Sequence, residues 1–100
     1  MKTLDINARE WFDKINGNSY FSGEIIVDYG LPTYQKYFMP FQYGYGDCYL
    51  WEAINTLKNA KVLNKTGYVV IDLSQLQDSG VIVRYNKKKA LKRELKEENY

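Results

Sequence analysis

The side chains that do most protein chemistry are nearly absent. The chain has no histidine and a single cysteine, Cys48, so a Cys-His pair cannot form and the commonest general base is missing. Zinc has no ligand set here, and no spacing matches a calcium loop, so no metal or cofactor is expected. The carboxylates Glu24, Asp28, Asp47, Glu52, Asp72 and Asp78 are residue types that perform acid/base work in pairs. Caps, turns and solvated strand faces account for them as well. Cys48 stands near an expected helix start, where thiols become nucleophiles, but a free cysteine more often fills a core. An enzyme is therefore the third-ranked expectation.

Two other groups of residues remain. Pro40-Phe41-Gln42-Tyr43-Gly44-Tyr45-Gly46-Asp47-Cys48-Tyr49-Leu50-Trp51 packs five aromatics and two glycines into a dozen residues. A glycine-rich turn before a helix suggests phosphate binding. The spacing fits no P-loop or dinucleotide fingerprint, and Asp47 at the cap would take the free amides and repel an anion. Tyr43, Tyr45, Asp47, Tyr49 and Trp51 fit a recognition surface better, since Tyr and Trp give large contact area at low entropic cost. The competing account is that the same aromatics wall off the core.

The second group is basic: Arg84, Lys87, Lys88, Lys89, Lys92 and Arg93, with Lys96 beyond. From Arg84 to Tyr100 seven basic residues face three acidic ones, a local +4, and the rest of the chain carries −2 from seven basic and nine acidic residues. Such a segment attracts phosphate backbones, or it is the solvated face of a terminal helix with Ala90, Leu91 and Leu95 packed inward.

The elements that must hold these groups follow from periodicity. Ala8, Trp11, Phe12 and Ile15 are spaced as one face of a helix, with Asn7 as N-cap and Gly17 as stop. Tyr20 to Asp28 alternates like a strand with Phe21, Ile25 and Val27 on one face. Tyr34 to Gln42 forms the hairpin partner with Tyr37, Met39 and Phe41 together, and Pro40 favours an edge or a strand end. Asp47 opens a second helix whose stripe is Leu50, Ala53, Ile54, Leu57 and Ala60. A strand over Tyr68 to Ile71, a helical turn over Leu73 to Gln77 and a strand over Val81 to Tyr85 follow. Residues 86–100 are expected as a basic helix or flexible tail.

These 100 residues suit one domain over positions 1–100. A 45% hydrophobic and 16% aromatic composition is far from that of disorder. The expected fold is α+β, in the order α-β-β-α-β-β: an antiparallel sheet of three to four strands with two main helices on one face. The opening residues form no apolar signal, no run reaches the length of a membrane span, and the lone cysteine fits a reducing compartment. A cytoplasmic monomer or homodimer without membrane contact is the expectation.

Asn16-Gly17-Asn18-Ser19-Tyr20, Pro40-Phe41-Gln42-Tyr43-Gly44-Tyr45-Gly46-Asp47 and Lys92-Arg93-Glu94-Leu95 together resemble small uncharacterised accessory proteins of bacteriophages and mobile elements. The resemblance implies a protein that acts inside a bacterial host by binding a host protein, as anti-CRISPR and other anti-defence inhibitors do, or by binding nucleic acid. It supplies no catalytic or binding role for any single residue.

Overall fold

The computed structural model describes residues 1–62 and 73–96. Its first element is a strand, β1 (Thr3–Asp13), and not the expected opening helix. Leu4, Ile6 and Ala8 are completely buried and alternate with Asp5, Asn7 and Arg9, a period of two that starts before the helical spacing begins. Trp11 and Phe12 consequently point to opposite faces. Asn7 is no N-cap but a mid-strand residue whose Nδ2 donates to Glu24 Oε2 at 3.2 Å. Gly17 does adopt a left-handed φ of 70°, yet it closes a hairpin, donating its amide to the Asp13 carbonyl at 2.7 Å.

The hairpin continues into β2 (Asn18–Val27), antiparallel to β1 from Leu4↔Val27 to Asp13↔Asn18. Phe21, Ile25 and Val27 are buried as expected, and Ser22 and Glu24 on the other face are buried too. β3 (Gln35–Tyr43) pairs antiparallel with β2 and forms one edge of the sheet, where Pro40 is tolerated. A register shift sets Phe21 opposite Gln42 but Gly23 opposite Met39, so β3 carries one extra residue beside Pro40. That bulge corrects the expected grouping: Tyr37 and Met39 join the core, while Phe41 turns to the opposite face and stacks on Tyr20 at 5.1 Å.

Helix α1 (Cys48–Asn59) buries Tyr49, Ala53, Ile54 and Leu57 against Leu4, Ile6, Phe21, Ile25 and Met39. Leu50 is half-buried and Ala60 exposed. Asp47 is the N-cap by position, but its side chain caps nothing; its carbonyl receives the Leu50 amide at 2.9 Å. The strand expected at Tyr68 to Ile71 lies outside the described residues. The short helix expected from Leu73 is α2 (Leu73–Asp78).

β4 (Ile82–Lys89) is where the basic segment departs most from expectation. Asn86 to Lys89 are strand, paired parallel to β1 from Thr3↔Ile82 to Glu10↔Lys89. Only Lys92–Leu95 is helical, as the four-residue α3. Leu95 is completely buried, whereas Leu91 is exposed and Ala90 half-buried. Lys92 Nζ sits 5.3 Å from the Trp11 ring and Lys96 Nζ 5.4 Å from Phe41. α3 therefore covers the face opposite α1, and the helices do not share one face.

The fold is α+β with a mixed four-stranded sheet in the order β3-β2-β1-β4 and three helices among the described residues. Among the described residues the element order is β-β-β-α-α-β-α, which differs from the expected α-β-β-α-β-β in opening on a strand. The parallel strand is what makes the sheet mixed: after the meander β1-β2-β3 the chain crosses the sheet through α1 and α2 to reach the far side of β1.

Candidate interaction surface

The turn from β3 into α1 is fixed by a close approach. Gly44 is buried, and a Cβ there would lie 2.5 Å from Phe21 Cε1, so no larger residue fits without moving the ring. Its amide donates to the Ser19 carbonyl at 3.0 Å. Gly46 then takes a φ of 58°, the left-handed conformation that glycine adopts without steric cost.

Around this rigid turn the aromatics divide. Tyr43 is 59% exposed, Tyr45 65% and Trp51 73%, while Tyr49 is only 5% exposed and belongs to the core. Tyr49 thus leaves the set of surface residues. Burial, followed by the nearby Asp47 and Tyr85, raises its phenol above the ordinary range. Asp47 is exposed one helical turn before Trp51, whose amide reaches the Asp47 carbonyl at 3.4 Å. Cys48 is half-buried and packs against the core.

The basic residues are distributed by their partners on β1. Arg84 forms two hydrogen bonds with the Asp5 carboxylate, at 2.6 and 3.0 Å, which raise its pKa further. Lys87 Nζ lies 2.6 Å from Glu10 Oε2, donates to the Gly46 carbonyl at 2.8 Å, and sits 5.5 Å from the Tyr49 ring. This lysine is a strut beneath the aromatic turn, joining the two groups of candidate residues through a contact that sequence gave no hint of. Lys92 is held over Trp11. Lys88, Lys89 and Arg93 are exposed.

Sequence reasoning also missed Phe12 and Ile15. They were placed on a buried helix face, yet Phe12 is half exposed and Ile15, at the hairpin tip, is 94% exposed. Phe12 pairs with Ser19, whose carbonyl receives the Gly44 amide, so both residues stand at the same end of the sheet as the turn. Tyr29 and Tyr34 are exposed at the opposite end, and Tyr20 and Tyr37 are half-buried.

The carboxylates are engaged structurally. Glu24 bonds Asn7 and lies 3.4 Å from Lys36 Nζ. Asp28, just past β2, accepts from Thr33 Oγ1 at 2.7 Å and from the backbone amides of Lys2 and Thr3 at 2.5 and 3.1 Å. The Thr33 hydroxyl foremost, then the two amides, hold its pKa down at about 2. An open cavity of about 420 Å³ beside Asp28, bordered by Lys2, Thr33, Tyr34 and Val62, contains neither Cys48 nor a second carboxylate. Among the described residues no group of His, Cys, Asp and Glu is arranged to hold a metal ion. No helix among them is long and apolar enough to cross a membrane.

No protein-family model, curated protein or solved structure matches the chain.

Proposed function

We propose that this chain is a non-enzymatic accessory protein of bacteriophage type that works in the host cytoplasm by binding a host protein, in the manner of anti-defence inhibitors. The observation that carries the reading is the display of Tyr43, Tyr45 and Trp51 on a turn that Gly44 and Lys87 hold rigid. A core-walling role would bury these rings. Preorganised aromatics bind with little ordering cost, and Phe12 and Ile15 are further exposed apolar residues at the same end of the sheet.

Capture of a host protein on the immobilised chain from nuclease-treated bacterial lysate, followed by titration of that protein, tests the reading. Trp51→Ala should weaken binding by about 2 kcal/mol, roughly thirtyfold, as expected of a hot-spot aromatic. Its thermal midpoint should barely move, since an exposed side chain costs about 0.5 kcal/mol or less. Unchanged affinity in both Trp51→Ala and Tyr45→Ala would sink the proposal. The alternative, a nucleic-acid-binding module led by Lys87, Lys88, Lys89, Lys92 and Arg93, is favoured by the exposure of Lys88, Lys89, Lys92 and Arg93. It predicts a steep fall of affinity with salt. It is weakened by the engagement of Arg84, Lys87 and Lys92 within the domain.

A further inference from the structure

The tip of the β1-β2 hairpin carries a chemistry that needs no catalyst. Of the eight asparagines in the chain, Asn16 alone precedes a glycine. A main-chain nitrogen attacks the side-chain carbonyl of a preceding asparagine most readily when it belongs to glycine, which has no Cβ to obstruct the approach. Asn16 and Gly17 are both exposed, and a Cβ built on Gly17 would meet nothing within 4 Å.

The reacting groups are both held by Asp13. The Gly17 amide, the nucleophile, donates to the Asp13 carbonyl at 2.7 Å. Asn16 Nδ2, the leaving group, donates to Asp13 Oδ2 at 2.8 Å. Asp13 Oδ1 receives the amides of Ile15 and Asn16 at 3.0 and 3.3 Å. These bonds, the one from the Asn16 side chain foremost, lower the pKa of the carboxyl, so it is ionised at neutral pH. The attacking nitrogen must give up its proton, and a proton bonded to a carbonyl is withheld from base in the solvent until the turn opens. One aspartate therefore restrains both ends of the reaction.

We propose that Asn16 is a site of spontaneous deamidation, the first in the chain to react, and that Asp13 sets its rate by holding the tip closed. The Gly17 nitrogen bonds to Asn16 Cγ, the Cγ–Nδ2 bond breaks, and ammonia leaves with the Gly17 amide proton. Water then opens the cyclic imide, at Cγ to aspartate or at the main-chain carbonyl to isoaspartate. Either product lacks the Nδ2 donor and adds a negative charge beside Asp13, so the contact cannot re-form. The change is one-way and falls on the hairpin that displays Ile15. It needs no partner, so the outcome for Trp51→Ala does not bear on it.

The test incubates the full chain and its Asp13→Ala variant at neutral pH in heavy-oxygen water, each folded and in urea. Mass spectrometry of the digested chains counts the solvent oxygen gained at each asparagine and separates isoaspartate from aspartate by fragmentation. In the folded chain Asn16 should take up label before every other asparagine, with isoaspartate among the products. Folding should slow it about tenfold relative to urea, as for any reaction that proceeds through local opening. Asp13→Ala should speed the folded reaction about threefold to tenfold, the scale of the charge-assisted hydrogen bonds lost, and leave the rate in urea unchanged. Asp13→Asn, which keeps the shape and one acceptor oxygen, should give an intermediate rate. The proposal is overturned if another asparagine reacts first in the folded chain, or if aspartate forms without isoaspartate. It is equally overturned if folded Asp13→Ala reacts at the parental rate, or if the two chains differ as much in urea.

Discussion

Replacing Asp28 by asparagine should cost this domain stability in a way that depends on pH. Asp28 is 4% exposed and adopts a φ of 54°, and its carboxylate accepts from Thr33 Oγ1 and from the amides of Lys2 and Thr3. It ties the start of β1 to the loop after β2. Asparagine keeps the size, tolerates the left-handed backbone, and loses one charged acceptor. The folded pKa of about 2, against 3.8 ordinarily, is worth at most about 2.4 kcal/mol at 1.36 kcal/mol per unit. The open cavity beside Asp28 brings water close enough to screen it, so about 1–2 kcal/mol is the expected loss. Because the folded pKa is depressed, the contribution is complete above the unfolded value, from about pH 5 upward. It disappears as pH falls through 3.8 towards 2 and below. Urea unfolding of both proteins at pH 7, 5, 3 and 2 measures this, and the difference between them cancels the titration of every other group. The gap should hold at neutral pH and narrow steadily below pH 4. A gap that stays constant down to pH 2 would show that the charge contributes nothing and that shape alone holds the loop.

Gly44→Ala should destabilise by about 1–3 kcal/mol, because its methyl would press on the Phe21 ring; thermal unfolding measures the cost, and a neutral result would mean that the turn is not fixed there. Leu95→Ala removes the one completely buried side chain of α3 and should cost about 2–4 kcal/mol. Trp11 emission should shift to the red as α3 releases its ring.

The parts legible in the sequence were those whose structure is decided by near neighbours. The β2-β3 hairpin and α1 have their partners close in sequence, and their apolar periods have no rival. β1 failed because two periods overlap in it: Leu4, Ile6 and Ala8 alternate, while Ala8, Trp11, Phe12 and Ile15 also trace a helical face. Pairing on both sides with β2 and β4 decides in favour of the strand, and that information is distant along the chain. The lysines of β4 were misread for the same reason. Glu10 and Asp5, which orient Lys87 and Arg84, stand more than seventy positions earlier, and local helix propensity yields to them. At the candidate site the sequence names the turn but leaves open whether Tyr45 and Trp51 wall off the core or face solvent, which only the packing decides. The strut from Lys87 to Gly46 depends on where β4 lies.

The parallel seam between β1 and β4 also sets an order of events. β1 and β2 can pair as soon as both exist, but the other edge of β1 waits for residues 82–89. Until then a strand carrying Leu4, Ile6 and Ala8 stands unpaired on one side. Loop closure over so long a separation is slow, and an open apolar edge invites pairing between chains. The basic strand that completes the sheet is thus also the last guard against aggregation, and a chain released before it is made would be expected to collect in the insoluble fraction.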